Sequence, residues 1–364
     1  MKKKYIITTV VTAVFLLGVS LLAWLKPADE FSLSERRKLT QFPELSFNTI
    51  ISGSFMESFE KYTLDQFPLR DKLRTIKAVV ALNLFGESEN NDIYIYEDYA
   101  SKMEYPLDEL SVERAGERFE YVYNKYLKGT ETKNYLSIIP DKNFFLAENS
   151  GMLSLDYEKM FSIIKENTSF LTYIDITGDL KKEDFYKTDT HWKQENLVAL
   201  AEKIGESMGA EIDAEYTEKT LNKEFYGVYY GQSALPLESE TIKYLTNDVL
   251  DSCIVYDHQN GKNISVYDLE KGMGRDPYEL FLSGPLSLVT IENKAAQTGK
   301  ELIIFRDSFG SSIAPLLVDG YSKITLVDIR YIHPNLLGKY IEFNSQDVLF
   351  LYNTSVLNNS ETIK

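Results

Sequence analysis

The chain has 364 residues, enough for one large or two ordinary domains, and its 26% charged and 44% hydrophobic residues exclude wholesale disorder. Its 55 acidic against 39 basic residues give a formal charge of −16, which repels phosphate backbones and argues against nucleic acid as a partner. One cysteine, Cys253, rules out an intrachain disulfide, and with three histidines (His191, His258, His333) neither a metal centre nor another cofactor site is indicated.

Lys2, Lys3 and Lys4 precede an uncharged run of 21 residues, Tyr5 to Leu25. As a helix it would span roughly 30 Å, the thickness of a bilayer's hydrocarbon core. The lysines predict a cytoplasmic N-terminus with everything after Lys26 outside, so residues 1–26 read as a cytoplasmic tip and single-pass anchor. Gly18-Val19-Ser20 offers the competing reading, a cleaved signal peptide, which exports the rest equally well.

Residues 27–89 read as a stalk with membrane-proximal helices. Pro27, Pro43 and the charged run Glu35-Arg36-Arg37-Lys38 suggest a linker. Phe55, Phe59 and Tyr62 then fall at helical spacing, and Leu69, Leu73, Ile76, Val80 and Leu84 mark a second helix ending near Gly86. These helices are expected to pack on the main domain or near the membrane.

From about residue 90 to 364 short apolar runs alternate with helical stretches. Tyr135–Ile139, Glu301–Phe305, Lys323–Val327 and Asp347–Tyr352 read as buried strands, and Gln194–Met208 as a helix with Leu197, Leu200, Ala201 and Ile204 on one face. Near-continuous apolar strands predict an α/β domain with a mainly parallel sheet covered on both faces. Residues 215–290 are less regular and suggest an inserted substructure.

In such sheets function gathers at the carboxyl ends of the strands. After the 301–305 strand comes Arg306-Asp307-Ser308-Phe309-Gly310, a turn that would expose the Ser308 hydroxyl and aim the backbone N–H groups that follow at a developing oxyanion. An N-cap serine is the bland alternative. Thr188-Asp189-Thr190-His191-Trp192 supplies a base, His191, and an orienting carboxylate, Asp189, two residues away. Thr190 or Asp189 capping the next helix is the alternative there, and Trp192 could wall the site or stack on a sugar. Asn353 stands just past the 347–352 strand, in the turn Asn353-Thr354-Ser355. Arg330 and Tyr331 follow the 323–327 strand as substrate-binding candidates, with a structural salt bridge equally open for Arg330. Lys142 is a weaker candidate at the rim, and His258 and His333 have weak catalytic claims.

Asp189-Thr190-His191-Trp192 resembles the signature of the bacterial DHHW proteins, and Arg306-Asp307-Ser308-Phe309 resembles the serine block that accompanies it. Arg36 to Pro43, Asp65 to Asp71, Asp276 to Gly284 and Asp328 to Tyr331 fit further landmarks of that family. DHHW proteins are similar to alginate O-acetylation proteins of the AlgJ and AlgX type, with an SGNH-hydrolase-like fold in which the Asp-x-His segment precedes the serine. Thr190 departs from the family's first His, and Arg306 stands where a Gly is usual, which makes Arg306 a further candidate near the substrate; the Asn that SGNH enzymes carry at the oxyanion implies that role for Asn353, with a plain turn residue as the alternative. The resemblance implies an extracellular serine O-acyltransferase acting on a cell-surface polysaccharide. The acyl group, acetyl by analogy, would be handed over by a polytopic membrane-bound O-acyltransferase. A polysaccharide acetylesterase with the same residues and a non-catalytic polysaccharide-binding envelope protein are the alternatives.

Overall fold

In a computed structural model describing residues 2–364, the chain divides into two compact units. The first comprises the N-terminal residues through Asn91 together with 230–236; the second holds the remainder.

The first unit begins with helix α1, Lys2–Leu25. From Lys3 it contains an 18-residue stretch of mean hydropathy 2.5 and is long and apolar enough to cross a membrane. Three helices follow, α2 (Phe47–Ile51), α3 (Ser54–Asp65) and α4 (Arg70–Phe85). The segment read as a linker is folded. Arg37 grips Asp65 with two bonds of 2.9 and 2.6 Å, and Thr40 adds its N–H and hydroxyl to the same carboxylate. Arg70 and Arg74 lie 2.6 and 3.3 Å from Glu35. The two charged landmarks, near residues 35–40 and 65–74, are therefore one ion-pair network.

Arg37 holds the Asp65 carboxyl well below its ordinary value. A depressed acid stabilises the fold above its ordinary value of 3.8 and ceases to do so as pH falls through the folded value. Asp65→Ala is thus expected to speed amide hydrogen exchange across residues 27–43 roughly tenfold at neutral pH, reflecting about 1–2 kcal/mol of lost hydrogen bonding. Equal exchange rates would show that the network holds nothing.

The second unit is built on an eight-stranded sheet. Its strands are β1 (Lys133–Ile139), β2 (Thr172–Tyr173), β3 (Ile254–Asp257), β4 (Lys262–Ile264), β5 (Leu288–Glu292), β6 (Glu301–Arg306), β7 (Lys323–Val327) and β8 (Asp347–Asn353). They lie in the order β4-β3-β5-β7-β6-β8-β1-β2. The five from β7 to β2 are parallel, and β5, β3 and β4 extend one edge by antiparallel pairing. This is the mainly parallel α/β sheet that the apolar runs predict.

The reason both faces are covered lies in strand alternation. Leu302 and Ile304 of β6, with Leu349 and Leu351 of β8, enter one core beside Leu200, Ala201 and Ile204 of the helix Val198–Ser207. Ile303, Phe305, Val348 and Phe350 enter the other, against Val112, Ala115 and Phe119 of Glu109–Val122. Each such side chain contributes about 1.5–3 kcal/mol on burial, so both faces of the sheet are strongly fixed.

Residues 215–290 are only partly an insertion. Thr217–Phe225 and Glu240–Thr246 form a separate antiparallel hairpin, but β3, β4 and the start of β5 belong to the main sheet. Their short length and antiparallel edge position hide the signal that long parallel strands give.

Candidate active site

All parallel strands end at one edge of the sheet, and there the chain brings together Asp189, His191 and Ser308. The loop carrying the first two is closed at its base by a bridge between Phe185 and Trp192, with Tyr186 N–H donating to the His191 carbonyl at 3.0 Å. Ser308 follows β6 in a tight turn. Asp307, fully buried, accepts the Phe309 N–H (3.0 Å) and the Asn353 N–H (2.7 Å), tying the turn to the end of β8. Burial pushes the Asp307 carboxyl up from its ordinary value.

Ser308 Oγ lies 2.8 Å from His191 Nε2, and His191 Nδ1 lies 2.6 Å from Asp189 Oδ1. The carboxylate also accepts the His191 N–H (3.1 Å) and, on its other oxygen, the Val228 N–H (2.8 Å). With Asp189 as acceptor, Nδ1 carries the imidazole proton and Nε2 is left to accept from the serine. Capping therefore does not occupy these residues: Asp189 serves its own loop, and the helix after Ser308 has Phe309 at its N-cap with no side-chain cap.

Three neighbours complete the positioning, none assigned a role from sequence. Tyr278 stacks on the imidazole, centroids 3.9 Å apart at 12°, and its hydroxyl bonds to Ser312 (2.8 Å). Its burial raises the phenol well above its usual value, so it stays neutral. Glu240 accepts the N–H groups of Lys187 and Thr188 and the Thr188 hydroxyl, at 2.8, 2.8 and 2.9 Å. Gly227 allows its segment to press against Thr188. The stretch from Asp276 to Gly284, which holds Tyr278, was legible as a family landmark; the approach of Tyr278 to His191 was not, because that contact joins residues far apart in the chain.

Several expectations are corrected. Trp192 is fully buried, donating to Ser312 Oγ at 2.8 Å, so it is core and cannot stack on a sugar. Arg306 is buried beneath the turn, facing the Leu286 and Asp307 carbonyls and, at 3.8 Å, Asp328; it has no access to substrate. Asn353 donates to the Ile139 carbonyl and caps Ser355, the turn role. Arg330 forms a two-bond pair with Asp328 (2.9 and 2.7 Å), the salt-bridge alternative, and Tyr331 is exposed beside it. The N–H groups of Phe309, Gly310 and Ser311 are bonded within the turn, which leaves the Ser308 N–H as its unpartnered donor among the described residues. His333 accepts from the Asn335 N–H, and His258 approaches Thr290 at 3.4 Å.

Lys142 is no rim residue. It is fully buried, and its ammonium donates to the carbonyls of Tyr186 (2.7 Å) and Lys187 (3.1 Å) while lying 4.8 Å over the Tyr229 ring. It braces the loop that carries Asp189 and His191. Burial lowers it to about 7, with Glu240 and Asp189 opposing. Because the folded value lies below the ordinary 10.5, the folded state binds fewer protons between about 7 and 10.5, and stability rises with pH across that window. Lys142→Met is expected to lose that rise, which melts of both proteins at pH 7 and pH 9 would reveal.

No family model and no curated protein matches the sequence. Among solved structures, a DHHW family protein from Eubacterium siraeum aligns over 76% of this chain and 95% of its own, with a TM-score of 0.61 and 19% identity. Bacillus cereus PatB1 aligns over 75% of this chain and 98% of its own, at 0.60 and 17%. PatB1 carrying a sulfonyl adduct gives 73%, 97%, 0.57 and 17%. At these identities the likeness is one of architecture: the chain is built on the fold of the DHHW family protein and of PatB1.

Proposed function

We propose that the chain is a membrane-anchored serine O-acyltransferase that acetylates hydroxyl groups of a cell-surface polysaccharide through an acyl-Ser308 intermediate. The observation that carries this reading is the unbroken chain Asp189–His191–Ser308 at 2.6 and 2.8 Å. A serine hydroxyl is a weak nucleophile until a base takes its proton. In the first half-reaction Ser308 Oγ bonds to the acyl carbon as its proton passes to His191 Nε2, and the departing group leaves with that proton. In the second, an acceptor hydroxyl gives its proton to Nε2 while its oxygen takes the acyl group; the bond to Ser308 Oγ breaks and that oxygen takes the proton back from Nε2. Asp189 holds the imidazole and stabilises its charged form without becoming protonated. The Ser308 N–H is the turn's donor for the oxyanion.

Helix α1 supports export with a cytoplasmic N-terminus and the catalytic unit outside, through the lysines at its N-terminal end. In this reading the anchor keeps Ser308 near a polytopic membrane-bound O-acyltransferase that supplies the acyl group. The test is the full chain in detergent with an acetyl-ester reporter, with and without oligosaccharide acceptor. Acetylated oligosaccharide is the expected product. Reporter hydrolysis unaffected by acceptor would indicate the esterase, and a Ser308→Ala protein as active as wild type would leave only a binding role.

A further inference from the structure

The membrane-facing half of the first unit carries a feature that the acyl-transfer reading does not use. Taking α1 from Lys3 onward, Gly18, Val19 and Ala23 are the only partly covered positions among the described residues, and their spacing puts them on one face of the helix. Against that face stands a groove of about 470 Å³. Val19, Ala23 and Trp24 line one side and Phe42, Phe59 and Tyr62 the other, with the polar Ser20, Thr63 and Gln66 also on its wall. The three aromatics of the second side form a cluster, with Phe42 5.9 Å from Phe59 and 5.3 Å from Tyr62 in edge-on contact.

Depth follows from the helix itself. Tyr5 and Trp24, both exposed, sit near the two ends of α1 as interfacial anchors do. Val19 lies six residues before the last residue of the helix, roughly 9 Å along its axis. Side chains of α3 that share a groove with Val19 must then lie below the level of the headgroups. The neighbouring α2 agrees: it has no buried residue, and Phe47, Ile50 and Ile51 are 76%, 54% and 70% exposed. Apolar exposure on that scale suits hydrocarbon better than water.

We infer that α3 is sunk into the same leaflet as the C-terminal third of α1, and that the groove between them holds one acyl chain of a bilayer phospholipid. The groove's continuity with a membrane-crossing helix selects this occupant. The inference rests on α1 being retained as a membrane span. Its consequence is that the anchor ends in a lipid-clamped platform and does not act as a free tether.

Trp24 and Trp192 are the only tryptophans, and Trp192 is fully buried in the other unit, so it supplies a constant background. In vesicles of phosphatidylcholine brominated along its acyl chains, Trp24 fluorescence should be quenched. A Phe59→Trp reporter in a Trp24→Phe background should be quenched to at least half the same extent. With phosphatidylcholine bearing an acyl-chain diazirine, irradiation should label residues 54–67, and Ala23→Leu, which fills the groove, should cut that labelling several-fold. Quenching at Trp24 but none at the Phe59→Trp reporter would overturn the inference while leaving the anchor intact. No quenching at either would remove the anchor and the inference together. Quenching at both without labelling of 54–67, the result expected if another segment fills the groove, would overturn the acyl-chain occupant.

Discussion

Ser308→Ala and His191→Ala are each expected to lower ester turnover by about 10⁴-fold or more, and the double variant little further, because the two side chains act as one unit. The 2.8 Å contact between Oγ and Nε2 is the reason: one change removes the nucleophile and the other the base that takes its proton. Asp189→Ala should cost roughly ten- to a hundredfold less than either, since the carboxylate orients the ring and stabilises its charge without accepting the transferred proton. The Val228 N–H, which now donates to Asp189, would also lose its acceptor, so a modest drop in melting temperature should accompany that variant alone. A sulfonyl fluoride is a suited probe, because it reacts with a serine hydroxyl that an adjacent base activates. Peptide mass analysis should place the label on Ser308 in wild type and find none in Ser308→Ala. A label at another serine, or turnover unchanged in His191→Ala, would overturn the assignment.

Gly227→Ala is expected to damage both stability and activity although residue 227 touches no substrate. A Cβ there would stand 2.2 Å from both the carbonyl carbon and oxygen of Thr188 and 2.3 Å from the Asp189 N, all backbone atoms that no rotamer change can move. The approach is held from both sides. The Gly227 N–H donates to the Thr188 hydroxyl (2.9 Å) and the Tyr229 N–H to the Thr188 carbonyl (3.0 Å). Making room means parting the two segments, at about 2–3 kcal/mol for overpacking, and drawing the Val228 N–H away from Asp189. The sulfonyl labelling rate should fall at least tenfold and the melting temperature should drop together with it. Wild-type labelling with a lowered melting temperature would mean that the Asp189 loop is set by Glu240 and Lys142 alone.

The main helices and parallel strands were legible because their signals are local and periodic. The 5–25 run, the two helices after residue 54 and the strands at 135, 301, 323 and 347 carry their pattern within a few residues. The catalytic candidates were legible for a related reason. A serine directly after a buried strand, and an Asp-x-His pair two residues apart, each carry a short-range geometry that their neighbours dictate. The short antiparallel edge strands β3 and β4 lacked such a pattern and were read as irregular.

Sequence alone left Ser308, Asp189, Asn353 and Arg330 with two readings each, and tertiary packing chose between them. The packing that places residue 191 beside residue 308 decided that Ser308 and Asp189 are linked through His191 and are not caps. Burial turned Trp192 and Arg306 from substrate candidates into structure, and the partner Asp328 did the same for Arg330. Composition cannot separate an aromatic that stacks on a sugar from one that fills a core, since both need the same apolar face. What differs is whether another part of the chain covers that face, and that is fixed by contacts between residues as distant in sequence as Gly227 and Thr188, Tyr278 and His191, or Lys142 and Tyr186.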